Sequence, residues 1–377
     1  MYSRLLNPPK GSFFLFGPRG VGKTAWLHQR LPGALFFDLL DRPTWTALLA
    51  APERLGQMIP ARHKDWVVVD EVQRAPEVLN EVHRLIESRR LRFALTGSSA
   101  RKLRRKGVNL LAGRAVTRRM HPLTASELGR DFDLRRAVRF GGLPLACTSE
   151  DPADYLSGFV ATYLREEVQQ EGFARNLGSF SRFLEAASFS QGAVLNMASV
   201  ARDCAIGAKL VEDYFGILED LLIGYRLPAF ARRAKRRVAL HPKFYFFDAG
   251  VFQAIRPRGP LDSPEEIRGP ALETLFLQHL RAANDYGNLG WDLHYWRTPE
   301  GQEVDFVVHG HRGLRAFEVK ASDRVRSGDL DALRLFLRDY PKAKANFLYL
   351  GDRRWHDAGI EVMPFEECIR APDTAFA

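Results

Sequence analysis

The segment Gly17-Pro18-Arg19-Gly20-Val21-Gly22-Lys23-Thr24 constrains this chain more than any other, because of where it sits. It follows the apolar run Phe13-Phe14-Leu15-Phe16 and precedes the helical stretch Ala25-Trp26-Leu27. Gly-x-x-x-x-Gly-Lys-Thr between a strand and a helix is what a phosphate-binding loop requires. Its glycines let backbone N–H groups turn inward around phosphates, and the helix start favours anions. Lys23 is expected to reach the β- and γ-phosphates, and Thr24 to ligate Mg²⁺. The chain is therefore expected to bind ATP or another nucleoside triphosphate through these residues.

A strand that ends in acids should lie beside such a loop. Trp66-Val67-Val68-Val69 ends in Asp70-Glu71. Asp70 is expected to hold Mg²⁺ through water, and Glu71 to orient and activate the attacking water. A further apolar run, Leu91 to Leu95, leads into Thr96-Gly97-Ser98-Ser99. Small hydroxyl residues at a strand's C-terminal edge border the ligand crevice of an open α/β sheet. Thr96 or Ser98 is expected to sense the γ-phosphate. Pro76 to Arg90 between them reads as a helix, with Val78, Leu79, Val82, Leu85 and Ile86 on its apolar side. Alternating strands and helices through the first 125 residues indicate a parallel sheet covered by helices.

These residues closely resemble the AAA-type ATPases that carry a C-terminal domain of unknown function. The likeness extends through Gln73-Arg74-Ala75-Pro76, Leu111-Ala112-Gly113-Arg114, His121 to Leu128, Gly141-Gly142-Leu143-Pro144 and Tyr163-Leu164-Arg165-Glu166. It implies a P-loop ATPase of the additional-strand, catalytic-glutamate class. Arg114 is then the arginine-finger candidate, since a positioned guanidinium neutralises charge on the transferred phosphoryl group. A purely structural arginine is the other reading. A finger acting in trans requires a homo-oligomer.

The whole chain has 377 residues, 46% of them hydrophobic, and a formal charge of +10. That length suits two or three domains. No apolar run approaches the 18 or so residues of a membrane span, and Asn7-Pro8-Pro9-Lys10 breaks any signal core, so a cytoplasmic protein with no membrane role is expected. Cys147, Cys204 and Cys368 lie far apart and read as buried, reduced thiols. The positive excess points to a polyanion, with DNA first. Two runs concentrate it, Arg101 to Lys106 and Arg232-Arg233-Ala234-Lys235-Arg236-Arg237.

In the middle of the chain, Ser179 to Ser190, Met197 to Arg202 and the segment from Leu210 to Leu222 read as helices, the last two around a short turn. Two strand-like runs, Gly224 to Phe230 and Pro242 to Phe247, bracket the second basic run. This order suggests a winged helix whose wing residues Arg232, Arg233, Lys235, Arg236 and Arg237 contact phosphate. Glu212, Asp213, Glu219 and Asp220 argue against base reading, because their helix face would repel DNA. A packing or oligomerisation role stays open.

Towards the C-terminus, Val304 to Val308 and Leu314 to Lys320 read as a hairpin around Gly310-His311-Arg312-Gly313. Pairing His309 with Leu314 places Asp305 opposite Glu318 and Glu303 opposite Lys320. With Glu273 on a helix opening at Pro270, the set resembles the PD-(D/E)xK nucleases, with Val304 where proline usually stands. On that resemblance Asp305, Glu318 and Glu273 would hold Mg²⁺ or Mn²⁺, and Lys320 would position the attacking water. A cross-strand ion pair is the alternative. The expected organisation is an AAA-type α/β domain over 1–150, a helical linker and winged helix over 151–258, and a small α/β nuclease-like domain over 259–377. The expected activity is ATP hydrolysis coupled to DNA binding, with metal-dependent cleavage or remodelling open. The other class is an ATPase switch that binds a protein partner through a non-catalytic C-terminal domain.

Overall fold

The computed structural model describes residues 2–98, 111–164, 177–231, 241–259 and 263–371. The basic run Arg101 to Lys106, the wing residues Arg232, Arg233, Lys235, Arg236 and Arg237, and Ser99, Arg165 and Glu166 lie outside the described residues. The chain divides into two compact units, Met1–His121 with Asp220–Leu222, and Pro122–Glu219 with Ile223–Ala377. The first boundary falls at 121, earlier than the expected 150, and the middle and C-terminal regions share one unit.

The first unit is built on β1 (Phe13–Phe16), β2 (Leu35–Asp38), β3 (Trp66–Asp70), β4 (Arg92–Gly97) and β5 (Val116–Arg119). Helices α1 (Lys23–Arg30), α2 (Arg42–Ala50), α3 (Arg54–Met58) and α4 (Val78–Arg89) connect them. All pairings are parallel, in the order β2-β3-β4-β1-β5. Strand β4 is thus inserted between the strand before the phosphate loop and the strand that ends in Asp70. Strands β1 and β3 are buried at every position, as expected of central parallel strands covered on both faces. Phe14, Phe16, Val67 and Val69 meet Val78, Leu79, Val82 and Leu85 of α4 in one core. On the other face Phe13 meets Trp26 of α1 edge-on, at 6.1 Å between ring centres.

The second unit begins with helical segments that include α5 (Leu134–Phe140), α6 (Leu177–Ser188), α7 (Met197–Asp203) and α8 (Ala208–Asp220). They lead to an antiparallel pair, β6 (Gly224–Leu227) and β7 (Lys243–Phe246). Phe180, Phe183, Tyr214, Phe215 and Phe244 pack as an aromatic core at this junction. After α9 (Ala249–Ile255), helix α10 runs over Pro264–Gly287, so it opens before Pro270 and carries that proline inside. The hydroxyl of Thr274 donates to the carbonyl of Pro270 at 2.6 Å.

A mixed sheet follows, built of β8 (Asp292–Arg297), β9 (Glu303–Gly310), β10 (Gly313–Lys320), β11 (Lys344–Tyr349), β12 (Trp355–Asp357) and β13 (Ile360–Pro364). Its order is β12-β13-β11-β10-β9-β8. Helix α11 (Asp331–Asp339) joins β10 to β11, and α12 (Phe365–Arg370) closes the described chain. Leu333 and Phe336 of α11 share a core with Val307, Ala316 and Phe347. Phe276 of α10 packs against Phe306, Phe317 and Phe365. In the β9–β10 hairpin His309 pairs with Leu314, the expected register, but Gly310 pairs with Gly313. The turn is therefore His311-Arg312 alone, shorter than the loop expected. Gly313 supplies a positive φ of 118°.

Two buried polar knots tie the unit together. Asp248 caps α9 by accepting from the N–H groups of Gly250 and Val251, and it also accepts from Gly142 at 2.7 Å. A Cβ on Gly141 would lie 1.9 Å from the Asp248 carboxylate, so only glycine fits there. Burial pushes the Asp248 carboxyl up to about 6. The second knot is His279, which accepts from the Ala125 N–H at 2.8 Å and donates through Nδ1 to the Leu275 carbonyl at 2.7 Å. Burial pulls this imidazole down to about 4. The unfolded chain takes up the proton near pH 6.5, before the native state does. The His279 contribution is therefore intact above about 6.5 and is lost as pH falls through about 4, on the order of 3 kcal/mol in all. Asp248 works in the opposite sense, because its raised pKa favours the native state as pH falls through about 6. Denaturant melts of the parent and of His279→Gln between pH 7 and 4 should separate the two. The variant is expected to lose less stability across that range, and parallel curves would remove the assignment.

Candidate functional site

At the end of β1 the chain turns where a side chain cannot follow. A Cβ on Gly17 would sit 2.5 Å from the Met120 carbonyl. Gly20 and Gly22 have φ of 82° and 91°. Gly22 then caps α1 with no side-chain hydrogen bond, and no acid lies in the first turn. The first-turn N–H groups thus face an anion without competition. The Lys23 ammonium is buried in this loop, and it donates to the carbonyls of Gly17 at 2.8 Å and Pro18 at 3.1 Å. Pro18, Arg19 and Val21 complete the loop, and the Val21 carbonyl accepts from Arg4 at 3.1 Å.

The parallel pairing brings the other expected residues to the same sheet edge. The Thr24 hydroxyl donates to one oxygen of Asp70 at 2.6 Å, and the Thr96 hydroxyl donates to the other. The Thr96 oxygen accepts the Glu71 N–H at 3.0 Å. Glu71 has a left-handed backbone, φ 57°, which costs a non-glycine residue on the order of 1–3 kcal/mol. Its carboxylate accepts from the Gln73 side-chain amide, which also donates to Ser98 at 3.2 Å. Thr24, Asp70, Thr96, Glu71, Gln73 and Ser98 therefore form one hydrogen-bonded chain. The adjoining hydroxyl and carboxylate of Thr24 and Asp70 are hard oxygen donors, and they fit Mg²⁺, which takes few protein ligands.

Gln73 is the member that site reasoning missed. Its side-chain oxygen is buried with no hydrogen-bond partner among the described residues. Gly97 is shaped around it, since a Cβ there would lie 2.7 Å from that oxygen. Gln73→Leu is expected to slow ATP turnover about 10- to 100-fold by freeing the Glu71 carboxylate, while nucleotide affinity stays within about twofold. Steady-state kinetics with parallel nucleotide titration would check this, and an unchanged turnover rate would exclude the role. Arg114 lies apart from this chain. Its guanidinium pairs with Glu87 of α4 at the surface.

In the second unit a dense set of ionisable groups surrounds Lys243 of β7, which is 1% exposed. Its ammonium pairs with Glu303 and with Asp305, the latter at 3.4 Å. The other Asp305 oxygen accepts the Val319 N–H at 3.0 Å. Glu273 of α10 accepts from the Tyr245 hydroxyl at 2.8 Å. Burial and the Asp305 charge push the Glu273 carboxyl up to about 8. The same two causes push Glu318 well above the carboxyl range, and one of its oxygens is buried without a partner among the described residues. Burial opposes the Lys243 charge, yet Asp305, Glu273 and Glu303 together raise its pKa. Lys320 is half-exposed, with its ammonium 3.9 Å from Asp329.

Among the described residues no group of three or more His, Cys, Asp or Glu side chains is arranged to hold a metal ion. Glu273, Asp305 and Glu318 as placed do not form such a group, and Asp305 is already paired with the Lys243 ammonium. The acidic face of α8 is also less repulsive than its sequence suggests. Arg226 of β6 donates to both Glu212, at 2.5 Å, and Glu219, at 2.6 Å.

Family models match three stretches of the chain: an AAA domain over residues 10–129, a domain of unknown function (DUF8612) over 131–262, and a domain of unknown function (DUF4143) over 268–368. Uncharacterized proteins of Mycobacterium bovis and Mycobacterium tuberculosis are each 27% identical over 354 residues, 90% of this chain and 77% of theirs. A Vibrio cholerae protein solved by crystallography aligns over 97% of both chains at 12% identity, with a TM-score of 0.24. The N-terminal region is thus an ATPase-like, nucleotide-binding domain of AAA type, joined to a C-terminal domain of unknown function. Among the described residues no helix is long and apolar enough to cross a membrane.

Proposed function

We propose that this protein hydrolyses ATP and uses its nucleotide state to control a grip on DNA that does not cut the strand. The observation that carries the ATPase reading is the continuous chain from Thr24 through Asp70 and Thr96 to Glu71, Gln73 and Ser98. Lys23 and the first-turn amides of α1 bind the phosphates. Thr24 and Asp70 would hold Mg²⁺, which would supply charge neutralisation for the transferred phosphoryl group. Glu71, fixed by Gln73 at its carboxylate and by Thr96 at its N–H, orients the attacking water. Thr96 and Ser98 then report whether a γ-phosphate is present, because both belong to the network that holds Glu71.

The DNA reading is supported by the formal charge of +10 and by the order of three helices and a β-hairpin around a basic segment, as in a winged helix. The basic residues of that segment, Arg232, Arg233, Lys235, Arg236 and Arg237, lie outside the described residues and are the expected phosphate contacts. Arg226 favours it further by neutralising part of the α8 acidic face. Cleavage is disfavoured by Lys243, whose ammonium fills the carboxylate cluster on which a nuclease would depend. That same observation supports a second reading, a regulatory switch whose C-terminal domain binds a protein partner.

The ATPase rate of the purified protein in Mg²⁺, alone and with linear, single-stranded and branched DNA, separates the two. Stimulation by one DNA form is expected. A rate indifferent to every DNA would favour the protein-partner switch.

A further inference from the structure

We propose that an arginine-lined cleft in the second unit binds the phosphate backbone of DNA. This rests on the DNA reading above and names a surface that reading did not include. The cleft has a volume of about 880 Å³, and Arg135, Arg139, Arg258 and Arg268 line it. They come from α5, from the segment after α9 and from α10.

What marks these arginines is that four of them line one cleft. Elsewhere in the unit Arg226, Arg334, Arg354 and Arg370 each hold carboxylates. Among the described residues Arg135, Arg139, Arg258 and Arg268 pair with none; Arg139 lies over the Phe140 ring, and Arg258 donates only to the Gln253 amide oxygen. Among the described residues two acids line the cleft, against four arginines. Asp133 caps α5 by accepting the Arg136 N–H at 2.6 Å, and Glu366 holds Arg370 at 2.8 Å. Guanidinium groups gathered around one cleft repel each other, and an anion relieves that cost. Leu134, Val138, Ile267 and Leu272 supply apolar wall between them, which strengthens attraction to a phosphate.

The lining also says what the cleft does not read. Its neutral polar side chains are committed as well. Gln253 donates to the Val138 carbonyl at 2.6 Å, and Ser263 caps α10 by accepting the Glu266 N–H. Among the described residues no aromatic ring lines the cleft to stack a base. Guanidinium groups alone remain, and these recognise phosphate oxygens rather than base edges. Arg135 and Arg139 are one helical turn apart, about 5–6 Å between Cβ atoms, so they can engage different phosphates of one strand. The ligand is therefore a nucleic-acid backbone, taken without base preference.

The test is a salt titration of binding to a single-stranded and a duplex oligonucleotide, with the full chain and with Arg135→Gln/Arg139→Gln. The variant is expected to bind at least about tenfold more weakly, equally for unrelated sequences, with a salt slope reduced by about 2. Arg268→Gln is expected to reduce it by about 1. Basal ATP turnover should not change in either. Parent and variants with the same DNA affinity and slope would overturn the cleft and leave DNA binding standing. A parent that binds no DNA would overturn the broader reading and this inference with it. If inorganic tripolyphosphate binds the parent but not the double variant, while DNA binding is equal in both, the cleft is a small-anion site and the proposal is wrong.

Discussion

Replacing Lys23 with alanine is expected to abolish ATP turnover, a loss of at least about 10²–10³-fold in kcat with weaker nucleotide binding. The ammonium is buried among loop carbonyls, so a bound phosphate meets a charge already stripped of most of its water. Such a charge acts on an anion far more strongly than one in solvent. Alanine leaves the glycine-shaped loop intact, because Gly17, Gly20 and Gly22 set its path without Lys23. The fold should survive and the chemistry should not. Phosphate release assays beside a thermal melt would check both, and normal turnover in a folded variant would remove the ATPase assignment.

Lys243→Met is expected to have the largest effect on stability. The methionine keeps the packing and leaves buried Asp305 and half-buried Glu303 without their cation, at a cost of about 3–5 kcal/mol. The sign holds across the working range, since the raised pKa of Lys243 keeps its contribution whole below about 10.5. Adding Glu303→Gln and Asp305→Asn to Lys243→Met should recover part of the loss, because the stranded charges are then gone. Chemical denaturation of the three proteins tests this. A single variant as stable as the parent would mean that the cluster does not depend on its lysine.

Local sequence carried the first unit well. Phe13 to Phe16 and Val67 to Val69 are continuous apolar runs because central parallel strands are buried on both faces, and each leads directly into its functional residues. The pairing of His309 with Leu314 was legible for a similar reason, since a hairpin fixes its own register over a short span. Lys243 was not legible. In sequence it stands between Pro242 and an aromatic strand, and its acidic partner Asp305 lies 62 residues away. Burial of that lysine depends on a tertiary meeting of β7 with β9 that no local pattern encodes. Gln73 escaped notice because a glutamine carries no charge or metal preference, and its use depends on Glu71 and Ser98 arriving at one place. Arg226 shows the same limit in reverse. The acids of α8 were visible, while the cation that quiets two of them sits on the following strand.

The boundary after His121 has a practical consequence for exchanging parts between such proteins. Thr124 to Glu127 forms a capping box, and Ala125 is held by His279 from far along the chain. Gly142 is held in the same way by Asp248. A graft that carries the nucleotide-binding half as far as residue 129 takes Ala125 away from its acceptor, and one carried to 150 takes Gly142 as well. A junction between His121 and Pro122 leaves each donor with its acceptor. An exchange at that seam would still have to match Asp220–Leu222, which belong to the first unit.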